Sequence, residues 1–200
     1  MAPPSGKARF DTARLINIAN GLTAARVLLV PYFAFLLISG RGKAALAVFA
    51  ACGATDGLDG LIARRLRQRT LAGALLDPIA DKLLMATAFI VLTWVHIVPL
   101  RLTVMVISRD IVILVGSTLY LLLLDATDIR PTALSKANTV VQILTVIYFL
   151  GVAAFPSETA ALGAGAGSAA GKWIARLCAT TTIASGLQYL FLGIRRLSDA

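Results

Sequence analysis

Charge is scarce in this sequence. Asp, Glu, Lys and Arg make up 14% of its 200 residues, against about 25% in ordinary globular domains. With 58% hydrophobic residues and a mean hydropathy of +0.83, that shortage excludes an ordinary soluble domain and implies an integral membrane protein. Acids are the scarcer sign: ten Asp and Glu against nineteen Lys and Arg give a formal net charge of +9. In a soluble chain such an excess would suggest nucleic acid. Here it reads as a positive-inside topology signal and contact with anionic headgroups, and no nucleic-acid partner is expected. The two cysteines, Cys52 and Cys178, stand in apolar runs without metal-ligand spacing and read as small apolar residues. No internal repeat is evident. The basic N-terminus lacks a following short apolar region with a small-residue cleavage site, so no cleaved signal peptide is expected. A long Arg/Ser-rich presequence is missing too, which favours a bacterial inner membrane over the mitochondrial inner membrane.

What is there is apolar length. Six runs, over 21–39, 43–65, 73–97, 100–124, 134–154 and 172–194, are each about 20 residues or more, enough to cross a ~30 Å hydrocarbon core. The expected fold is an all-α integral membrane protein of six transmembrane helices. Residues 1–20 form a short cytoplasmic or interfacial segment, helical where it meets the headgroups, and 21–196 one transmembrane domain. The stretch ALGAGAGSAAGK (161–172) reads as a flexible loop. Lys7, Arg9, Arg14, Arg65, Arg67, Arg69, Arg130, Arg195 and Arg196 fall on one side, which is therefore cytoplasmic, with both termini inside. Trp94, Trp173 and the single histidine, His96, fall near the outer interface, and His96 is assigned no role.

The scarce acids are not scattered. Asp56, Asp59, Asp77 and Asp81, four of the ten, lie in one stretch, DGLDGLIARRLRQRTLAGALLDPIAD. On a helix the first pair is about 60° apart around the axis and the second about 40°, so each pair shares a face. Two carboxylates about 4 Å apart repel by about 4 kcal/mol at an effective dielectric of 20. Divalent metal with oxygen ligands is the economical way to neutralise them. In the first three spans the polar groups (Arg26; Asp56, Asp59 and Arg64; Asp77, Asp81 and Lys82) all lie in the cytoplasmic half, and the outer halves carry no charge. Intramembrane ionisable groups normally face one another or a watery cavity. The pattern describes a polar cavity open to the cytoplasm and sealed outside. Pro78 reads as a first-turn proline of the third span.

Asp56-x-x-Asp59-Gly60-x-x-Ala63-Arg64, eight residues, Gly73, three, Asp77, three, Asp81 resembles, without departure, the signature of the CDP-alcohol phosphatidyltransferase family. Asn17–Pro31 resembles that family's first span, and the likeness extends over nearly the whole chain. It implies six helices, a homodimer, Mg²⁺ or Mn²⁺ (two ions), and CDP-diacylglycerol bound at the cytoplasmic side. By the same resemblance Asp56, Asp59, Asp77 and Asp81 are metal ligands and Asp81 the general base. Gly60, Ala63 and Gly73 accept the cytidine beside Asp59, with Thr23, Arg26 and Arg64 near the nucleotide or its phosphates.

The acceptor is less constrained. Arg109 follows Ser108 and precedes Asp110 about nine residues into the fourth span, about 14 Å deep. It is either half of an internal ion pair or a cavity-facing ligand for the acceptor's phosphate. Lys136, with Ser135, Asn138 and Thr139, is either interface snorkelling or a polar mouth to the same cavity. Arg109, Lys136 and Asn138 are the candidate acceptor-binding residues, and a phosphate-bearing acceptor is expected. Physical reasoning leaves phosphatidylglycerol and glycerol 3-phosphate open. Resemblance goes further: Ser-Arg-Asp in the fourth span and RPTALSKANT before the fifth resemble the eukaryotic-type cardiolipin synthases of the family, which favours phosphatidylglycerol. A cation transporter is the rival class. Transport sites, however, tend to lie at the midplane with access from both sides, whereas these acids hug one interface.

Overall fold

The computed structural model describes residues 18–66, 71–124 and 132–198, with side chains over 28–55, 82–116 and 132–192. The described residues hold seven helices and no strand: α1 (Ile18–Ile38), α2 (Gly42–Leu66), α3 (Leu71–Trp94), α4 (Leu100–Leu124), α5 (Ala133–Ala154), α6 (Pro156–Ala161) and α7 (Ala169–Ser198). Six are long, and they coincide with the six expected spans to within a few residues. The interfacial N-terminal helix expected within 1–20 falls mostly outside the described residues. Among the described residues one helix, Ala133–Ala154, is by itself long and apolar enough to cross a membrane; shorter apolar helical stretches run over Leu28–Ile38, Gly42–Thr55 and Lys82–Trp94.

Two details differ from expectation. The segment after α5 is not all loop: α6 intervenes, and residues 169–172 already belong to α7. Ser168 starts that helix by accepting the Gly171 N–H at 3.0 Å, the usual service of a serine at a helix N-terminus. Pro78 is not in a first turn, because α3 begins at Leu71; a proline there removes one i→i−4 bond and favours a bend. Glu158, in the first turn of α6, is held below the usual carboxylate range by its own backbone N–H and then by the Ser157 hydroxyl.

The apolar core sits where α1, α2, α3 and α5 meet. Phe33, Leu36 and Leu37 of α1 bury against Phe49 and Cys52 of α2, Phe89 and Leu92 of α3, and Phe149 and Leu150 of α5. The Phe33 and Phe49 rings meet with centroids 5.9 Å apart. α1 packs on α2 and α3, α5 on α2 and α7, and α4 chiefly on α7. The first turn of α2 meets the end of α5 very closely: a Cβ on Gly42 would press on the Ala153 carbonyl and lie 2.8 Å from the Ala154 Cα. Leu28, Phe35, Ile90, Trp94, Val104, Leu114, Leu144, Leu187 and Phe191 are all exposed. The outside of the bundle is thus apolar along α1, α3, α4, α5 and α7, while several polar side chains are buried inside. Such an inside-out distribution suits lipid as the surrounding solvent.

At one end of the bundle three helices stop in the same way. Past α1, Arg41 N–H reaches the Leu36 carbonyl and Gly40 N–H the Leu37 carbonyl; Gly40 has φ 72. Past α3, Ile97 N–H reaches Leu92 and His96 N–H reaches Thr93, with His96 at φ 60. Past α6, Ala164 N–H reaches Thr159 and Gly163 N–H reaches Ala160, with Gly163 at φ 62. These paired bonds are Schellman caps, which need a left-handed residue just after the helix. His96, without a chemical role in the sequence reading, is thus, among the described residues, the one side-chain-bearing residue at a position glycine favours. Left-handed backbone costs an L-residue about 1–2 kcal/mol. His96→Gly is therefore expected to raise the thermal unfolding midpoint in detergent and Gly40→Ala to lower it, each by about 1 kcal/mol in stability. A His96→Gly variant that melts lower than the parent would contradict this account.

Candidate active site

The motif acids are delivered by two consecutive helices: Asp56 and Asp59 lie in α2, Asp77 and Asp81 in α3. The helical conformation on which the shared-face argument rests is therefore present at both pairs. Gly60, Ala63 and Arg64 belong to the same α2 turns, Gly73 to the start of α3, and Thr23 and Arg26 to α1. The side chains of these motif residues lie outside the described residues. Their donor chemistry nevertheless fits a hard cation, since aspartates offer oxygen alone. Among the described residues no group of three His, Cys, Asp or Glu converges.

The described part of the site begins one residue beyond Asp81. Lys82 Nζ lies 2.7 Å from Asp110 Oδ2. The other oxygen of that carboxylate, Oδ1, accepts from Arg109 Nη1 at 2.7 Å. Arg109 Nη2 donates to Ser135 Oγ at 2.7 Å and to Ser185 Oγ at 2.8 Å. One carboxylate and one guanidinium thus join α3, α4, α5 and α7. Ser108, the neighbour on α4, instead turns its hydroxyl back to the Val104 carbonyl. The Arg109 side chain is 4% exposed and only its Nε, among its nitrogens, is without a partner. An arginine so placed must be paired, because an unpaired charge out of water is very costly. The internal ion pair weighed from the sequence is present. Phosphate binding by Arg109 would have to use Nε or displace a serine.

From this junction a polar seam runs between α5 and α7. Thr132, the N-cap of α5, accepts from Ser135 N–H at 3.2 Å and donates to Gln188 Oε1 at 3.0 Å. Asn138 is fully buried, and its Oδ1 accepts from Thr182 Oγ1 at 3.1 Å. Thr145 donates to the Val141 carbonyl. Ser135, Asn138, Gln142 and Thr145, all buried, are spaced by three, four and three, the spacing of one helix face. Facing them are Cys178, Thr182 and Ser185, also buried. Asn138 Nδ2 and Gln142 Nε2 are buried without a partner.

Of the candidate acceptor residues, Arg109 is buried against Ser135 and Asn138 is buried one turn further along α5 against Thr182, while Lys136 is exposed. Sequence reasoning missed Gln142, Thr182 and Ser185. The signal existed in the three–four spacing of polar residues along α5, but nothing in the sequence paired that face with α7.

A CDP-alcohol phosphatidyltransferase family model matches residues 16–183. The chain is similar to a "Cardiolipin synthase (CMP-forming)" of Homo sapiens, 36% identical over 156 residues, covering 70% of this chain and 52% of the relative. A protein of the same name from Streptomyces coelicolor is 38% identical over 125 residues, covering 56% and 58%. A "CDP-diacylglycerol--glycerol-3-phosphate 3-phosphatidyltransferase" of Pseudomonas fluorescens is 46% identical over 104 residues, covering 49% and 53%. The chain spans about half the length of these curated relatives. With motif, helical architecture and family model in agreement over most of its length, the chain belongs to the CDP-alcohol phosphatidyltransferase family.

Proposed function

We propose that this chain is a cardiolipin synthase: it transfers the phosphatidyl group of CDP-diacylglycerol to phosphatidylglycerol and releases CMP. The observation that carries the reading is the unbroken aspartate motif on two consecutive helices, α2 and α3, inside the family match over 16–183. The terminal hydroxyl of phosphatidylglycerol attacks the phosphorus bearing the diacylglycerol, and the bond from that phosphorus to CMP breaks. Asp81 takes the proton from the attacking hydroxyl onto its carboxylate. Gly60, Ala63 and Gly73 leave room for the cytidine, and Thr23, Arg26 and Arg64 bind its ribose and phosphates; an arginine suits phosphate through paired N–H groups. Two Mg²⁺ or Mn²⁺ ions, held by Asp56, Asp59, Asp77 and Asp81, would neutralise the diphosphate and the charge on departing CMP when bound.

Lys136, exposed at the first turn of α5, makes the first contact with the acceptor phosphate. Arg109 Nε and Asn138 Nδ2, both unpartnered, are the donors left for it deeper in. The six long helices span a bacterial inner membrane as one bundle over 21–196, with the aspartates facing the cytoplasm and two copies forming a homodimer. The second reading, transfer to glycerol 3-phosphate, is favoured by the name and 46% identity of the Pseudomonas relative.

Two outcomes test this. Purified protein with Mn²⁺ and labelled CDP-diacylglycerol is expected to give product with phosphatidylglycerol and not with glycerol 3-phosphate; the reverse would install the second reading. Asp81→Asn is expected to retain donor binding while transfer falls about 10²- to 10⁴-fold, the usual worth of a general base. Full activity in that variant would remove Asp81 from the mechanism.

A further inference from the structure

Two polar bolts tie α3 to α4. At one end Thr93 Oγ1 and Thr103 Oγ1 are 2.5 Å apart, and Thr103 also donates to the Phe89 carbonyl at 3.2 Å. About 16 Å away along α3, by eleven residues of helical rise, and about 10 Å away along α4, by seven, Lys82 meets Asp110. Between the bolts the packing is light: α3 lies mainly against α1, and α4 mainly against α7. The motif-bearing half of α3 is thus held to α4 by a single described ion pair. That ion pair is not free to wander, because Asp110 is itself gripped by Arg109, and Arg109 is fixed by Ser135 and Ser185.

We propose that Lys82 and Asp110 are positioning residues for the reaction: their ion pair, anchored through Arg109 to α5 and α7, sets the rotation and height of the α3 turn that carries Asp81. Lys82 follows Asp81 directly in α3, so the two positions lie about 100° apart around the same helical turn. A rotation of that turn that lengthens the Lys82–Asp110 contact moves Asp81 with it. A displacement of about 1 Å at a reacting group costs up to about 10²-fold in rate. The carboxylate is the element that cannot be spared. Without it, Lys82 and Arg109 become two like charges sharing one neighbourhood, and the turn is pushed outward instead of drawn in.

The proposal rests on the transferase reading above, and its experiment is arranged so that the two can fail separately. Lys82→Met, Asp110→Asn and the double variant are compared with the parent by steady-state kinetics, donor binding and amide hydrogen exchange. Each single variant is expected to lower kcat about tenfold with KM for phosphatidylglycerol and affinity for CDP-diacylglycerol within twofold. The double variant is expected to be no slower than the slower single, since one shared contact is lost. Lys82→Arg, which keeps the charge, is expected to retain at least half of kcat. In parallel, amides of the α3 turn around 79–83 are expected to lose protection in both single variants, while those around 89–93 keep it.

Several outcomes overturn the idea. A raised acceptor KM with unchanged kcat would make Lys82 a binding residue instead, and multiplicative losses in the double variant would deny the coupling. Unchanged exchange around 79–83 would show that the ion pair positions nothing, whatever the activity. Loosened exchange in a protein that transfers phosphatidyl groups to neither acceptor would leave the tether standing and overturn the assigned reaction.

Discussion

A carboxylate shared by two cations is the interaction on which this structure turns. Asp110 gives one oxygen to Lys82 and the other to Arg109, and Arg109 spends its remaining Nη2 donors on serines of two further helices. The surroundings explain why the arrangement is needed. Arg109 is nearly inaccessible, and a guanidinium that cannot reach water must find acceptors within the protein or not be buried at all. Three helices, α4, α5 and α7, supply them, and with α3 joined through Lys82 four helices are brought to one place. That place lies one residue from Asp81, so the structural knot and the proposed chemistry share a neighbourhood.

The remainder of the bundle divides along the same line. One region, where α1, α2, α3 and α5 converge, is filled by Phe33, Phe49, Phe89, Leu92 and Phe149 and contributes cohesion without selectivity. The other, between α5 and α7, is lined by hydroxyls and amides. In hydrocarbon, apolar packing between helices has no water to escape from, and polar contacts give interfaces their specificity. α5 serves both regions, with Phe149 and Leu150 towards the apolar core and Ser135, Asn138 and Gln142 towards α7.

Much of this was legible in the residues alone. Helix positions could be read because apolar length is a one-dimensional property, and the helices begin and end close to where hydropathy changes. The aspartate motif could be read because its positions are local to two helices. Three things could not. His96 looked idle, since left-handed backbone at a histidine has no sequence signal comparable to that of Gly40 or Gly163. Pro78 was misplaced because a span starting at 73 already makes it the sixth residue, past the first turn, and the helix begins two residues earlier still, at Leu71. The partners of Arg109 were out of reach because Ser185 is 76 positions away. Only the bundle's topology makes it a neighbour.

The antiparallel pairing of α5 with α7 has a further consequence. Thr132 with Gln188, Ser135 with Ser185 through Arg109, and Asn138 with Thr182 fall at steps of three along both chains, like the marks of a vernier. Because the marks repeat at one turn, sliding one rod past the other by that turn would set Thr132 against Ser185 and Ser135 against Thr182, and only Asn138 would meet an alanine, Ala179. The ladder alone would therefore tolerate a slip, and it is Arg109, bonded from α4 to both Ser135 and Ser185, that singles out one alignment.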